Sequence, residues 1–426
     1  MAKFHVSPSI LQGSIVIPSS KSQTLRAIFF ALMGKGTSRI HKYLTSPDTY
    51  AMLRAAKMLG VKVRQTNTTL WVEGTNGNLQ SPENVIDAGN SGLVLRFIGA
   101  LTSLLPTYTV ITGDKSICSL RPIQPLLSAL QCLQADARSM YSNGFAPICV
   151  KGPLIPGNTK LCGKDSQPVS ALLMTTCFLE GQSHIQVTNP GEKPWVDLTL
   201  HWLERLGAKI EHDHHKEYWI SGKTQYEGFE YTVPGDWSSA AFPIAAALIT
   251  SSEIVLDNLD LTDPQGDKQI VHCLLSMGAN IEIDSNHKKV IIRKTKHLKG
   301  IDIDINNFVD AIAILAVIGC FAEGKTHLYN AQIARHKESD RISAITQELK
   351  KMGANIEEKE DGLIIYPSSL KAAKLCSHKD HRIAMALSVA ALAAKGTSLI
   401  DDVECIAKTY PSFIDNFRRL GAKIEQ

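Results

Sequence analysis

The chain has 426 residues, 44% of them hydrophobic and 20% charged, and a formal charge of +4 at neutral pH. A chain of this length outgrows one hydrophobic core, so two lobes are expected; the composition excludes a disordered or collagen-like chain, and so small and dispersed a charge excludes a nucleic-acid-binding stripe while suiting an anionic small molecule. Nine scattered cysteines with no CxxC pair indicate neither a disulfide framework nor a zinc site, and no run approaches the ~18 apolar residues of a membrane span, which predicts a cytoplasmic protein with no membrane partner.

In chain order, the first signal is PSSKSQTLRA from Pro18, where cap-type residues precede an apolar helix. With a helix start near Ser22, Lys21 stands at the mouth and Arg26 one turn in, so both reach an anion bound there. The helix breaks at GKGTSRI (Gly34), a strand follows, and a second helix closes on LGVKV (Leu59) before the hairpin VKVRQTNTTLWVEG. The cap segment and the closing turn then return five times, and a hairpin follows four of the six turns. The further cap segments are DAGNSGLVLRF (Asp87), GKDSQPVSALL (Gly163), PGDWSSAAFPIAAAL (Pro234), NFVDAIAILAV (Asn307) and HKDHRIAMALSVAAL (His378). The further closing turns are LQADA (Leu133), LGAKI (Leu206), MGANI (Met277), MGANI (Met352) and LGAKI (Leu420), at spacings of 68 to 75 residues. A period near 71 accounts for the whole chain, so an α/β fold of six strand, helix, strand, helix, hairpin units is predicted, three to a lobe. Where the helices of a lobe run side by side, their N-termini share a face that attracts anions.

Further cations lie in SLRPIQPLL (Arg121), HKESDRI (Lys337 and Arg341, with Glu338), HKDHRI (His381 and Arg382) and ECIAKTYPSF (Lys408). The i to i+4 spacing predicts Lys337 and Arg341 on one helical face. No GxxxxGK[ST] occurs, nor a GxGxxG after a strand, so a nucleotide loop is not indicated. His212, Asp213, His214 and His215 fall at a predicted hairpin tip, which fits a solvated turn better than a metal site.

Together, PSSKSQTLRA, AGNSG, LRP, DSQPVSALLMT, PGDWSSAAF, KESDRI, DHRIAMA and AKTYPSF stand in the order seen in the 5-enolpyruvylshikimate-3-phosphate synthase family of enolpyruvyl transferases, which the chain resembles from end to end. The resemblance implies a two-lobed inside-out α/β barrel of six βαβαββ repeats, with one lobe from residues 1–19 plus 236–426 and the other from 20–235. It implies a monomer that transfers the enolpyruvyl group of phosphoenolpyruvate to the 5-hydroxyl of shikimate 3-phosphate and needs neither cofactor nor metal. By the same resemblance Asp310 takes the hydroxyl proton, Glu338 protonates the methylene carbon, and Lys21 participates near both substrates. Shikimate 3-phosphate is assigned to Lys21, Ser22, Arg26, Ser166, Gln167, Asp310 and Lys337. Phosphoenolpyruvate is assigned to Lys21, Gly92, Arg121, Gln167, Arg341, Arg382 and Lys408.

Three positions depart from the family pattern. Asp165 and Glu192 stand where serine is common, and a carboxylate at Asp165 would repel a bound phosphate unless it points away. Spacing around YNAQIARHKE leaves a ligand role for Asn330 open. A sister transferase acting on a UDP-linked amino sugar carries a reactive cysteine before an Arg-Pro pair, and Cys118 in ICSLRP comes close, but KSQTLRA, DSQPVSALL and KESDR fit the shikimate family better.

Overall fold

The structure is a computed structural model, and it describes residues 2–426. The chain divides into two compact units, Ser19–Val233 and a second made from Met1–Pro18 with Pro234–Gln426. Each unit has its own hydrophobic core.

Among the described residues there are six four-stranded sheets, three in each unit, and all share one pairing scheme. In the third, Asn158–Cys162 runs parallel to Gln182–Thr188, which pairs antiparallel with Glu217–Ser221, which pairs antiparallel with Lys209–Asp213. One parallel and two antiparallel pairings is the pattern expected when a helical crossover joins the first two strands and a tight hairpin the last two. The His212–His215 segment lies at that hairpin, with His214 and His215 at φ 44° and 60°.

The helices that follow the cap segments are apolar on all sides and are buried accordingly. Every residue of Gly92–Leu101 is buried, as are Gln23 to Met33 of Lys21–Met33 and Ile312 to Cys320 of Ile312–Phe321. Their starts are fixed by side-chain caps: Ser20 accepts from Gln23 N, Ser91 from Val94 N, Asp165 from Gln167 N, Asp236 from Ser238 N and Asp380 from Arg382 N, at 2.9 to 3.4 Å. The first helix therefore begins at Lys21, one residue before the predicted start. The fifth copy departs from the scheme. A 3-10 segment, Asn306–Ala311, precedes Ile312–Phe321, no side chain caps it, and Asp310 is left available for other partners.

The closing turns need a left-handed residue just past each helix. Five copies place glycine there, Gly60, Gly207, Gly278, Gly353 and Gly421, at φ 77° to 104°. The sixth places the exposed Gln134 at φ 67°. The left-handed conformation costs a residue with a β-carbon about 1–2 kcal/mol, partly offset by glycine's greater unfolded-state entropy. Gln134→Gly is thus expected to stabilise its unit by about 0.5–1 kcal/mol, read as a rise in urea midpoint at constant slope. A lower midpoint would show that the Gln134 side chain contributes more than its backbone strain costs.

No helix among the described residues is long and apolar enough to cross a membrane.

Candidate active site

In the Ser19–Val233 unit, Lys21 is the first residue of its helix, and its Nζ lies 3.6 Å from the buried Asp48 carboxylate, which also accepts from Ser91 Oγ at 2.9 Å. Ser22 follows, its carbonyl accepting from Arg26 Nη1 at 3.3 Å. Arg26 is buried, donates further to Thr199 Oγ1 (2.9 Å) and the Trp195 carbonyl (3.1 Å), and lies 5.2 Å from the Phe97 ring centre. Burial pushes its pKa down to about 9, so an anion brought to it would relieve that penalty.

Gly92, Arg121 and Gln167 are brought together. A β-carbon on Gly92 would lie 2.7 Å from Arg96 Nη1, 3.0 Å from Arg121 Nη1 and 3.1 Å from Gln167 Oε1. Arg121 donates to the carbonyl and side-chain oxygens of Asn90, both at 3.3 Å. Arg96 was not among the predicted site residues, yet it organises this corner. It is only 2% exposed and binds Gln167 Oε1 (3.2 Å), the Gly92 and Pro122 carbonyls, and Asp165 Oδ2 (2.9 Å). Gly92→Ala is therefore expected to push at least one guanidinium out of place and weaken anion binding at this corner about tenfold or more, the order of one lost charge-assisted hydrogen bond. Calorimetric titration with inorganic phosphate checks this, and an unchanged affinity would show that the corner does not hold the anion.

The two acidic departures are both accounted for. Asp165 caps its helix through Oδ1 and turns Oδ2 to Arg96. Glu192 accepts from the backbone N–H and hydroxyl of Ser166 at 3.2 and 3.3 Å. Cys118 is half-buried, its thiol donating to the Gly113 carbonyl at 3.5 Å.

In the other unit, a single network joins five of the predicted residues. Asp310 Oδ1 is 2.6 Å from Arg341 Nη1 and its Oδ2 is 3.1 Å from Arg382 Nη2. Arg341, 1% exposed, also holds Glu338 Oε2 and the buried Asp380, each at 2.8 Å. Glu338 Oε1 accepts from Lys408 Nζ at 2.8 Å, and Arg382 donates to Ser238 Oγ at 2.6 Å. Glu338, Asp380 and His381 offer metal-ligand atoms within 4.8 Å of one another, but Arg341 and Lys408 already supply positive charge at these carboxylates.

Lys337 and Arg341 do not share a helical face. Asp340 accepts from Ser343 N and starts the helix at Arg341, while Lys337 closes the 3-10 segment Gln332–His336 in a non-helical conformation. The sequence reading missed Asp340 as a cap; Asp-x-x-Ser before an apolar stripe was the signal available. Arg335 fixes the intervening loop by gripping Asp340, Glu358 and two carbonyls of the Glu360 turn at 2.7 to 2.8 Å. Asn330, at φ 60°, donates to both oxygens of Asp304.

Burial alone would raise the Asp310 carboxyl. Arg382, Arg341 and Lys337 outweigh it and hold the pKa far below the ordinary carboxylate range. Arg341 is likewise lowered by burial but pushed above the usual arginine value by Asp380, Asp310 and Glu338. An incoming anion would compete with Asp310, Glu338 and Asp380 for these guanidiniums. Cations at helix starts, paired with carboxylates that can surrender them, define an α/β group-transfer enzyme for small anionic substrates.

Residues 6–417 match the family model described as EPSP synthase (3-phosphoshikimate 1-carboxyvinyltransferase). The chain is 45% identical over 429 aligned positions to the 3-phosphoshikimate 1-carboxyvinyltransferase of Chlamydia caviae, covering 100% of this chain and 95% of the relative. It is 44% identical to that of Ruminiclostridium cellulolyticum, covering 99% of each. A solved EPSP synthase from Acinetobacter baumannii superposes with TM-score 0.83 at 27% identity, over 100% of this chain and 99% of that one. The chain belongs to the EPSP synthase family.

Proposed function

We propose that the chain performs the family reaction, enolpyruvyl transfer from phosphoenolpyruvate to shikimate 3-phosphate on the way to aromatic amino acids, with the two clusters above dividing the work. Once phosphoenolpyruvate draws Arg341 and Lys408 to itself, Glu338 takes up a proton from solvent; the 5-hydroxyl of shikimate 3-phosphate then adds to carbon 2 of phosphoenolpyruvate, giving its proton to Asp310 while Glu338 passes its proton to carbon 3. The tetrahedral adduct then returns a proton from carbon 3 and expels phosphate, leaving the enol ether. Lys21 offsets charge near both substrates. Ser22, Arg26, Ser166, Gln167, Asp310 and Lys337 hold shikimate 3-phosphate; Gly92, Arg121, Gln167, Arg341, Arg382 and Lys408 hold phosphoenolpyruvate, whose two anionic groups need several cations to offset desolvation.

The observation that carries this assignment is the shared arginine: Arg341 binds both Asp310 and Glu338, so an anion arriving there weakens the hold on the base and the acid together. The same reading includes an inside-out α/β barrel of three βαβαββ repeats in each lobe and a cytoplasmic monomer that works without a cofactor or metal. The test is phosphate release from phosphoenolpyruvate plus shikimate 3-phosphate with chelator present, beside a UDP-N-acetylglucosamine control. Release with the shikimate compound alone supports the reading. Release only with the sugar would move the chain to the sister reaction, and release with neither would remove the catalytic assignment.

A further inference from the structure

We propose that Glu192 is an internal competitor for the substrate's phosphate, a carboxylate that occupies the oxyanion seat at the start of the Ser166–Thr176 helix until shikimate 3-phosphate displaces it. The proposal rests on the substrate reading above, which assigns Ser166 to that substrate.

Four observations carry it. The Glu192 side chain is 2% exposed although it bears a carboxylate, and such burial is rare without strong partners. Its Oε2 takes both the backbone N–H and the hydroxyl of Ser166, the two donors a phosphate oxygen would use there. Its backbone is left-handed, φ 45° and ψ 39°, a conformation that glutamate adopts only under constraint. It stands at the cap position of its own helix, Lys193–Arg205, yet makes no side-chain cap there; the carboxylate reaches instead to a different helix. The other acidic departure, Asp165, is committed to Gln167 N and Arg96, so Glu192 alone of the two sits on the Ser166 donors.

Two anions cannot share one N–H and one hydroxyl, because both the charge and the hydrogen-bond count oppose it. Binding therefore requires Glu192 to swing away, and the apparent affinity is reduced by the fraction of molecules with the seat vacated. Glu192 is a specificity-determining residue in this scheme: a substrate without a phosphate could not evict it, so the competitor sharpens discrimination at the expense of affinity.

The test uses two variants of the full-length protein. Glu192→Gln keeps an acceptor for Ser166 and removes the charge; Glu192→Gly removes the side chain and suits the left-handed backbone. KM for shikimate 3-phosphate is expected to fall about tenfold in the glycine variant and less in the glutamine variant, as the vacated fraction approaches one, with KM for phosphoenolpyruvate unmoved. A shikimate 3-phosphate KM that is unchanged or higher in both variants overturns the proposal and makes Glu192 a scaffold for the turn. Inorganic phosphate binding by calorimetry separates this from failure of the substrate reading. If the unaltered enzyme does not turn over shikimate 3-phosphate, that reading fails. Tighter phosphate binding by the glycine variant than by wild type would still support the competitor, and equal binding would overturn it.

Discussion

Asp310→Asn is expected to lower kcat by about 10²–10⁴-fold, the range that a positioned general base supplies, with substrate binding retained. Asparagine preserves size but has a single acceptor oxygen, so only one of Arg341 and Arg382 keeps its hydrogen-bond acceptor here and both lose the charge. Those guanidiniums then have one competitor fewer for the phosphoenolpyruvate anion, so KM for that substrate should hold steady or fall while kcat collapses. That pattern marks an interaction needed in the transition state rather than in ground-state binding. Steady-state kinetics at saturating substrates decide it, and near-normal kcat would sink the role.

The same variant has a stability signature whose sign follows from linkage. The folded-state pKa of Asp310 is held far below its unfolded value of about 3.9. Its ion pairs therefore contribute in full above that value, and the contribution is lost as pH falls below about 4, where the unfolded chain binds the proton more readily. The difference in melting temperature between wild type and Asp310→Asn should be constant from neutral pH to about 5 and narrow below about 4. A gap that stays constant down to pH 3 would mean that Asp310 is not ionised against its arginines.

Much of this was legible because the chain restates one local grammar. Cap residues, an apolar helix and a left-handed turn are properties of a few adjacent residues, and five of the six cap segments form side-chain caps at Ser20, Ser91, Asp165, Asp236 and Asp380. The copy that breaks the grammar is the informative one. NNFVDAIAI looks like its siblings in sequence, but its aspartate caps nothing and faces two guanidiniums, which only long-range packing could reveal. Arg96 had a local signal that went unused: an arginine inside GLVLRFIGAL must either disrupt an apolar helix or find buried partners. Glu192 had none. Its left-handed backbone and its reach to Ser166 depend on how two segments some 26 residues apart come together. The failed pairing of Lys337 with Arg341 has a local origin instead, since helical spacing was applied across a cap that restarts the helix.

Glu338→Gln is expected to cost as much as the change at Asp310, about 10²–10⁴-fold in kcat, through a different step. The Glu338 carboxylate is mostly buried between Lys408 and Arg341; on the proposed reading it takes up a proton as phosphoenolpyruvate draws those cations and passes it to carbon 3 as the hydroxyl adds to carbon 2. An amide keeps the size but has one acceptor oxygen, so only one of Arg341 and Lys408 keeps its acceptor, and it has no proton of suitable acidity to give. Lys408 and Arg341 would be less neutralised in the variant, so phosphoenolpyruvate should bind at least as tightly, and a loss confined to kcat is the expected split. Isotope exchange separates this role from that of Asp310. On the proposed reading the tetrahedral adduct carries a methyl group at carbon 3, so in deuterated water its reversal is expected to return deuterium to the methylene of recovered phosphoenolpyruvate. Glu338→Gln should lose that exchange in parallel with turnover, because one proton transfer governs both. Exchange persisting at the native rate while turnover falls would move the acid to another residue. Restored exchange in Glu338→Asp, at a reduced rate set by the shorter reach, would fix the proton on the carboxyl at this position.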